Sequence, residues 1–105
     1  MRLNDINILK IAEKIPCPSY DRKPLRTGIV HIGVCGFRRA HQAYYFHRLI
    51  EKHVTKDWAI CGVGLQATDK NIADVLKKQD CLYTLATQHP NGKVESEVMG
   101  SITEY

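Results

Sequence analysis

Three short apolar runs alternate with segments of helical periodicity, and together they set the frame of the chain. The first run, GIVHIGV at 28–34, is β-branched, opens on Gly28 and closes on a glycine-containing turn, which is strand composition. From Phe37 to about His53 the pattern turns helical. Ala40, Tyr44 and Leu49, with Tyr45, Phe46 and Ile50 beside them, make an apolar stripe broken by Arg39, Arg48, Glu51 and Lys52. WAICGVG at 58–64 is a second strand. Thr68 or Asp69 can then cap a helix whose buried positions are Ile72, Ala73, Val75 and Leu76. CLYTLAT at 81–87 reads as a third strand, and Asn91-Gly92 is a hairpin turn signal. VESEVMGSITEY alternates apolar and polar residues, which predicts one or two exposed strands. Upstream, residues 3–14 carry Leu3, Ile6, Leu9, Ile11 and Ala12 at helical spacing, with Asn4 or Asp5 as the cap. The segment 15–27, IPCPSYDRKPLRT, holds three of the four prolines and reads as an extended connector.

Apolar strands alternating with helices predict parallel pairing in an α/β architecture. Only the first half of a doubly wound parallel sheet fits in this length, followed by a hairpin. The domain is therefore incomplete and keeps an open sheet edge. The division expected is a helix and proline-rich connector over 1–27 and a partial nucleotide-binding unit over 28–105. At 105 residues, with 44% hydrophobic and 25% charged positions, the chain is of ordinary globular composition. No apolar run approaches the ~20 residues of a membrane span, and the N-terminal stretch lacks a signal-peptide core. The expectation is a soluble, cytoplasmic protein that does not engage a membrane. The net charge of +4 comes from basic residues scattered among acids. A nucleic-acid footprint would gather them on one face, so nucleic acid is not an expected partner.

Metal and disulfide chemistry find little support. Cys17, Cys35, Cys61 and Cys81 are widely spaced with no CxxC pair, and Cys61 and Cys81 lie in apolar runs, where a thiol behaves as a small hydrophobe. His41, His47 and His53 recur every six residues. On a helix that step turns by about 240°, so they diverge, unlike the i, i+4 pair of a zinc helix. No metal site is expected.

The sharpest feature is GIVHIGVCGFRRAHQA at 28–43. A strand ending in glycine and feeding a helix start gathers unpaired backbone N–H groups at the positive end of the helix dipole, a ready site for an anion. Against the dinucleotide pattern G-x-G-x-x-G, Gly33 fills the first position, but Cys35 stands at the second and Arg38 at the third. The pattern alone leaves open an ordinary tight turn between strand and helix.

The same residues resemble a known family. HIGVCGFRRAHQA at 31–43 is similar to the variant fingerprint that opens the polyol-specific long-chain dehydrogenases, the mannitol 2-dehydrogenase family. PSYDR, TGIV, DWAICGVGL at 57–65, QDCLYTL at 79–85 and GSITEY at 100–105 extend the likeness in order from about residue 16. The resemblance implies a Rossmann-like fold and NAD as cofactor, with the pyrophosphate over the turn formed by Gly33, Val34, Cys35 and Gly36, and Phe37 and Arg39 opening the helix. For Arg39 a phosphate contact and a plain surface cation both stand; His41 and Gln42 match the motif, and His41 is expected to pack between sheet and helix. Cys35 replaces the usual second glycine and Arg38 a usual histidine, which bears on cofactor affinity. An acidic residue after the second strand should meet the adenosine ribose and select NAD. Asp69 is that candidate, with a helix-cap role as its alternative, and Lys70 leaves NADP open.

In the family so resembled, a mannitol-like polyol and a fructose-like ketose interconvert by hydride transfer. A lysine base in a later, mostly helical domain serves the reaction without metal. No residue here matches that base, so no catalytic residue is named. Lys52, Lys56, Lys77 and Lys78 read as solvated. The polyol is expected to bind only with the C-terminal domain, and the chain alone is expected to be inactive. The alternatives are a non-catalytic nucleotide-binding or interaction remnant of the family and an unrelated α/β domain.

Overall fold

The computed structural model describes residues 2–33 and 39–105; residues 34–38, which include four of the expected site positions, lie outside it. Its elements in chain order are α1 (Ile8–Ile11), β1 (Thr27–Ile32), α2 (Gln42–Glu51), β2 (Ala59–Val63), α3 (Asp69–Lys78), β3 (Tyr83–Gln88), β4 (Val94–Met99) and β5 (Ile102–Glu104). The strands form two sheets: a parallel one in the order β1-β2-β5, and an antiparallel β3-β4 hairpin.

The parallel alternation of strand and helix is as expected, but its third member is not. CLYTLAT does not join the sheet. Its residues 83–88 pair with 94–99 across the Asn91-Gly92 turn, where Gly92 has φ +85°, and β5 takes the place beside β2. VESEVMGSITEY is accordingly not an exposed ribbon: Val98, Met99, Ser101 and Ile102 are fully buried. Alternation reports two unlike faces, and here one of them meets the core rather than water. The core joins Ala43 of α2, Ile60 of β2, Leu76 of α3, Cys81 and Tyr83 at the start of the hairpin, Met99 and Ile102. Burying a Leu, Ile or Met side chain is worth about 1.5–3 kcal/mol, so this cluster supplies much of the cohesion between the two sheets.

The helical segments are also shorter and rotated relative to the pattern. α1 is a single turn with Ile6 and Leu9 exposed, although Asn4 does accept a hydrogen bond from the Asn7 N–H at 2.8 Å. In α2 the buried positions are Ala43, His47 and Ile50, while Tyr45 and Leu49 face outward and Ala40, just before the helix, is exposed. In α3 only Leu76 is fully buried; Ile72 and Ala73 are half-buried and Val75 is exposed. Cys61 is half-buried in β2, whereas Cys81 is buried in a turn and not in a strand. On β1, Val30 pairs with Cys61 and Ile32 with Val63, so these four side chains share a face. Val30 and Ile32 remain 67% and 63% exposed there, and β1 forms the sheet's edge as expected of half a doubly wound sheet.

One polar cluster fastens α2 to everything around it. His47 is fully buried. Its Nδ1 accepts the Gly100 N–H at 3.2 Å and lies 2.6 Å from the Tyr20 hydroxyl; its Nε2 lies 3.1 Å from Glu97 Oε2. A backbone N–H can only donate, so Nδ1 is unprotonated. Tyr20 must therefore donate as well, and Nε2 carries the proton and gives it to Glu97. The ring is thus the neutral Nε2–H tautomer. Burial lowers its pKa, with Arg48 adding to that effect, while Glu51 and Glu97 oppose it. Burial likewise pushes the Tyr20 hydroxyl above its ordinary range, which keeps it a donor. Arg48 grips both Glu97 oxygens, at 2.5 and 2.6 Å, reaches Glu51 at 2.6 Å, and lies over the Tyr44 ring. Its guanidinium holds the Glu97 carboxyl below the usual carboxylate range.

The connector closes the cluster. Arg22 donates to the carbonyls of Gly100 at 3.1 Å and Ile102 at 2.7 Å, and Val98 N–H donates to Pro16 O at 2.8 Å. A Cβ on Gly100 would stand 2.8 Å from the Pro18 ring and 3.0 Å from the Tyr20 hydroxyl, so only glycine lets the connector lie this close. His47 is the residue that sequence reasoning set aside as one of three diverging histidines. The divergence is real, but the ring that turns inward is a hydrogen-bond hub.

Two predictions follow from these packing features. α2 ends with His53 at φ +58°, its N–H on Ile50 O and the Val54 N–H on Leu49 O, a Schellman motif in which the left-handed residue is usually glycine. Because His53 is exposed, His53→Gly should relieve strain without loss of packing. It is expected to add about 0.5–1 kcal/mol, read as a melting temperature several degrees higher; a lower value would show that the histidine makes a compensating contact. His47 supplies the second. With its folded pKa depressed, the unfolded chain binds the extra proton more readily, so its contribution to stability is complete above about pH 6.5 and declines as pH falls below that toward the folded value. Denaturant unfolding at pH 7.5 and 5.5 should show the wild type losing stability across this interval. His47→Gln should begin about 2 kcal/mol weaker and show a flatter dependence.

Candidate functional site

The parallel pairing of β1 and β2 brings two glycines to one edge of the sheet. Ile32 sits in register with Val63, and the Gly33 N–H continues the ladder to Val63 O at 2.8 Å. Gly33 adopts φ +84°, and among the described residues a Cβ built there would meet nothing within 4 Å. The glycine is therefore required by backbone conformation rather than by the close approach of a described residue. His31 Nδ1 lies 2.8 Å from Gly33 O, so its ring N–H donates to that carbonyl and steadies the strand end.

At the matching end of β2, Gly64 is required for the other reason, close approach. A Cβ would lie 2.7 Å from Asp69 Cβ and 2.9 Å from the Tyr105 hydroxyl. Asp69, the first residue of α3, turns its carboxylate back over this loop: Oδ2 accepts the N–H groups of Leu65 at 3.1 Å and Gln66 at 3.0 Å. Thr68 makes no side-chain cap. Asp69 thus has a capping role, directed at the loop that precedes its helix rather than at the helix's own first turn. It also stands at the carboxyl end of β2, where an open α/β sheet meets its ligand.

Of the expected site residues, Gly33, Arg39 and Asp69 fall among those described. Val34, Cys35, Gly36 and Phe37, and Arg38 with them, lie outside the described residues. Arg39 is half-buried, and its guanidinium carbon lies 6.0 Å from the centre of the Tyr83 ring. Its backbone carbonyl accepts the Tyr83 hydroxyl at 2.6 Å. Burial raises the Tyr83 pKa well above the ordinary phenol range, so this hydroxyl stays protonated and donates. His41, expected to pack between sheet and helix, is exposed at the start of α2, with its ring edge-on to Tyr45 at 5.2 Å. Tyr83 was not identified from the sequence. Its one signal was a phenol inside an apolar run, since a buried hydroxyl needs a partner that an apolar run cannot offer.

His47, Glu51 and Glu97 also bring metal-ligating atoms within 4.8 Å of one another. Arg48 already bridges both carboxylates, and a dication would have to displace that guanidinium. Among the described residues no helix is long and apolar enough to cross a membrane.

With this geometry the chain can be set beside known proteins. The profile of the mannitol dehydrogenase Rossmann domain matches residues 27–105. Mannitol dehydrogenase 2 of Saccharomyces cerevisiae is 43% identical over 103 residues, covering 98% of this chain and 20% of the yeast protein. Mannitol 2-dehydrogenase of Aspergillus fumigatus is 44% identical over 110 residues, covering all of this chain and 22% of the relative. The structure of Pseudomonas fluorescens mannitol 2-dehydrogenase, a ternary complex with NAD and D-mannitol, superposes with a TM-score of 0.93 at 43% identity over 99% of this chain and 21% of that one. A substrate-free D-sorbitol dehydrogenase gives a TM-score of 0.86 at 39% identity, covering all of this chain and 22% of that one. The chain spans about a fifth of the length of these relatives. Superposition and sequence agree, and the chain belongs to the mannitol dehydrogenase family, of which it carries an N-terminal, Rossmann-like α/β portion.

Proposed function

We propose that this chain is the NAD-binding front portion of an oxidoreductase that interconverts a mannitol-like polyol and a fructose-like ketose. The observation that carries the reading is the pair of strand ends. Gly33 turns in the left-handed region at the end of β1, and one strand away Asp69 holds a carboxylate over the end of β2. These residues fit a dinucleotide. The turn from Gly33 through Val34, Cys35, Gly36 and Phe37 would take the pyrophosphate on backbone N–H groups, with Arg39 beside it, and Asp69 would face the adenosine ribose. NAD, when bound, supplies the hydride acceptor. On this reading the proton acceptor for the polyol hydroxyl belongs to the rest of a full-length family protein, since no residue here matches the lysine base that the resemblance implies. The structure of the Pseudomonas relative contains both NAD and D-mannitol, which supports this substrate and cofactor pair.

Asp69 provides the test, because its two duties separate chemically. Asp69→Asn keeps a carbonyl oxygen for the Leu65 and Gln66 N–H groups and loses only the charge; Asp69→Ala loses both. Both variants should relax the preference for NAD over NADP, since the carboxylate that repels a 2′-phosphate is gone. Only the alanine variant should lose stability, by about 1–2 kcal/mol. Calorimetric titration with NAD and NADP, alongside melting curves, reads both. An unchanged cofactor ratio in both variants would remove Asp69 from the ribose site and leave it a loop cap.

Cys35 offers a second test, drawn from the sequence alone. If its side chain crowds the pyrophosphate, Cys35→Gly should tighten NAD binding about tenfold, equivalent to ~1.4 kcal/mol. Equal or weaker binding would show that the turn already accommodates the cysteine.

A further inference from the structure

Three pieces of chain converge where β2 ends. Gly64 follows that strand, Asp69 opens α3, and Tyr105 follows β5, whose Glu104 lies in register with Cys61 of β2. A Cβ on Gly64 would stand 2.9 Å from the Tyr105 hydroxyl and 2.7 Å from Asp69 Cβ, so the two side chains crowd over one glycine. Gly64 is not in the left-handed region. Its bare Cα serves this meeting and not the backbone. The Tyr105 ring packs against the core cluster, and its hydroxyl oxygen is buried with no hydrogen-bond partner among the described residues. A hydroxyl stripped of water and left unpaired weakens a fold, and an ionised carboxylate is the strongest acceptor within its surroundings. Burial and the Asp69 charge both raise the Tyr105 pKa, so the hydroxyl keeps its proton and is a donor. The carboxylate has room for it. It offers about four lone-pair positions, and Oδ2 takes the Leu65 and Gln66 N–H groups, which leaves Oδ1 for further donors.

We infer that Tyr105 is a positioning residue for Asp69: its hydroxyl donates to the second carboxylate oxygen and sets the direction in which the last lone pair faces the adenosine ribose. The inference deepens the reading of Asp69 as the ribose acceptor and rests on it. Two N–H groups on one oxygen fix that oxygen but let the carboxylate pivot about it. A third donor, on the other oxygen, stops the pivot. A carboxylate tells a ribose hydroxyl from a phosphate by direction and distance, so its orientation must be set before the ligand arrives.

The test uses the purified chain, titrated calorimetrically with NAD and NADP, with amide exchange at Leu65 and Gln66 followed by NMR in the absence of nucleotide. Tyr105→Phe keeps the ring and its packing and removes only the hydroxyl. It is expected to speed exchange at both amides, to raise the dissociation constant for NAD about fivefold and to leave that for NADP unchanged, narrowing the preference by the same factor. Asp69→Asn puts an amide that donates in place of the second oxygen. Adding Tyr105→Phe in that background should therefore move the ratio by less than about twofold. An unchanged ratio in Tyr105→Phe, with a wild type that binds NAD, overturns the inference while the NAD reading stands; a higher melting temperature beside it would mark an idle buried hydroxyl. A ratio that moves as far in the Asp69→Asn background shows an effect that bypasses Asp69, and the inference falls. A reciprocal measurement needs no change at Tyr105: its ring Cζ resonance should shift in Asp69→Asn, and a resonance that stays in place overturns the pairing. A wild-type chain that binds neither nucleotide removes the NAD reading and the positioning role together.

Discussion

A fully buried imidazole has no water to turn to, so each of its nitrogens must find a partner in the protein or the fold bears the cost of stripping it from solvent. His47 meets that demand with groups from three other parts of the chain: the Tyr20 hydroxyl from the connector, Glu97 from β4, and the Gly100 N–H from the turn between β4 and β5. Because the backbone donor dictates the tautomer, the arrangement works in one protonation state only. Around it Arg48 pairs with both Glu51, on its own helix, and Glu97 of β4, one cation shared between two carboxylates. The resulting network aligns the hairpin, the connector and α2 in one register.

The helix so held is the one that follows the glycine turn. Its N-terminal side takes hydroxyl bonds from Tyr83 and Ser101, and its C-terminal side ends in a left-handed residue. Among the described residues the strand before the turn pairs with β2 on one flank, and Val30 and Ile32 are exposed on its face.

The two glycines at the carboxyl ends of β1 and β2 answer two different constraints. Gly33 is chosen for backbone conformation; Gly64 is chosen for closeness. The end of β2 is packed with a carboxylate held in place by its own loop. Placing that carboxylate requires the loop N–H groups to be satisfied first, so the same residue can serve local stability and ligand selection.

Local pattern by itself determined the alternation of strands and helices, the parallel α/β class, the left-handed glycine at position 33 and the Asn91-Gly92 hairpin. Each of these is written in contiguous residues through period, β-branching or the need for positive φ. The family, too, was legible, because its blocks run in order along the chain. What periodicity could not convey is which strand lies beside which. The alternation of VESEVMGSITEY says that two faces differ, and only the packed structure decides that the face bearing Val98, Met99 and Ile102 closes the core, and that β5, not CLYTLAT, completes the sheet. Nor could spacing show that His47 alone of three histidines turns inward, or that Tyr83 reaches Arg39 across forty-four positions. Such hydrogen bonds depend on directions in space between segments far apart in sequence, and those exist only once the chain has folded.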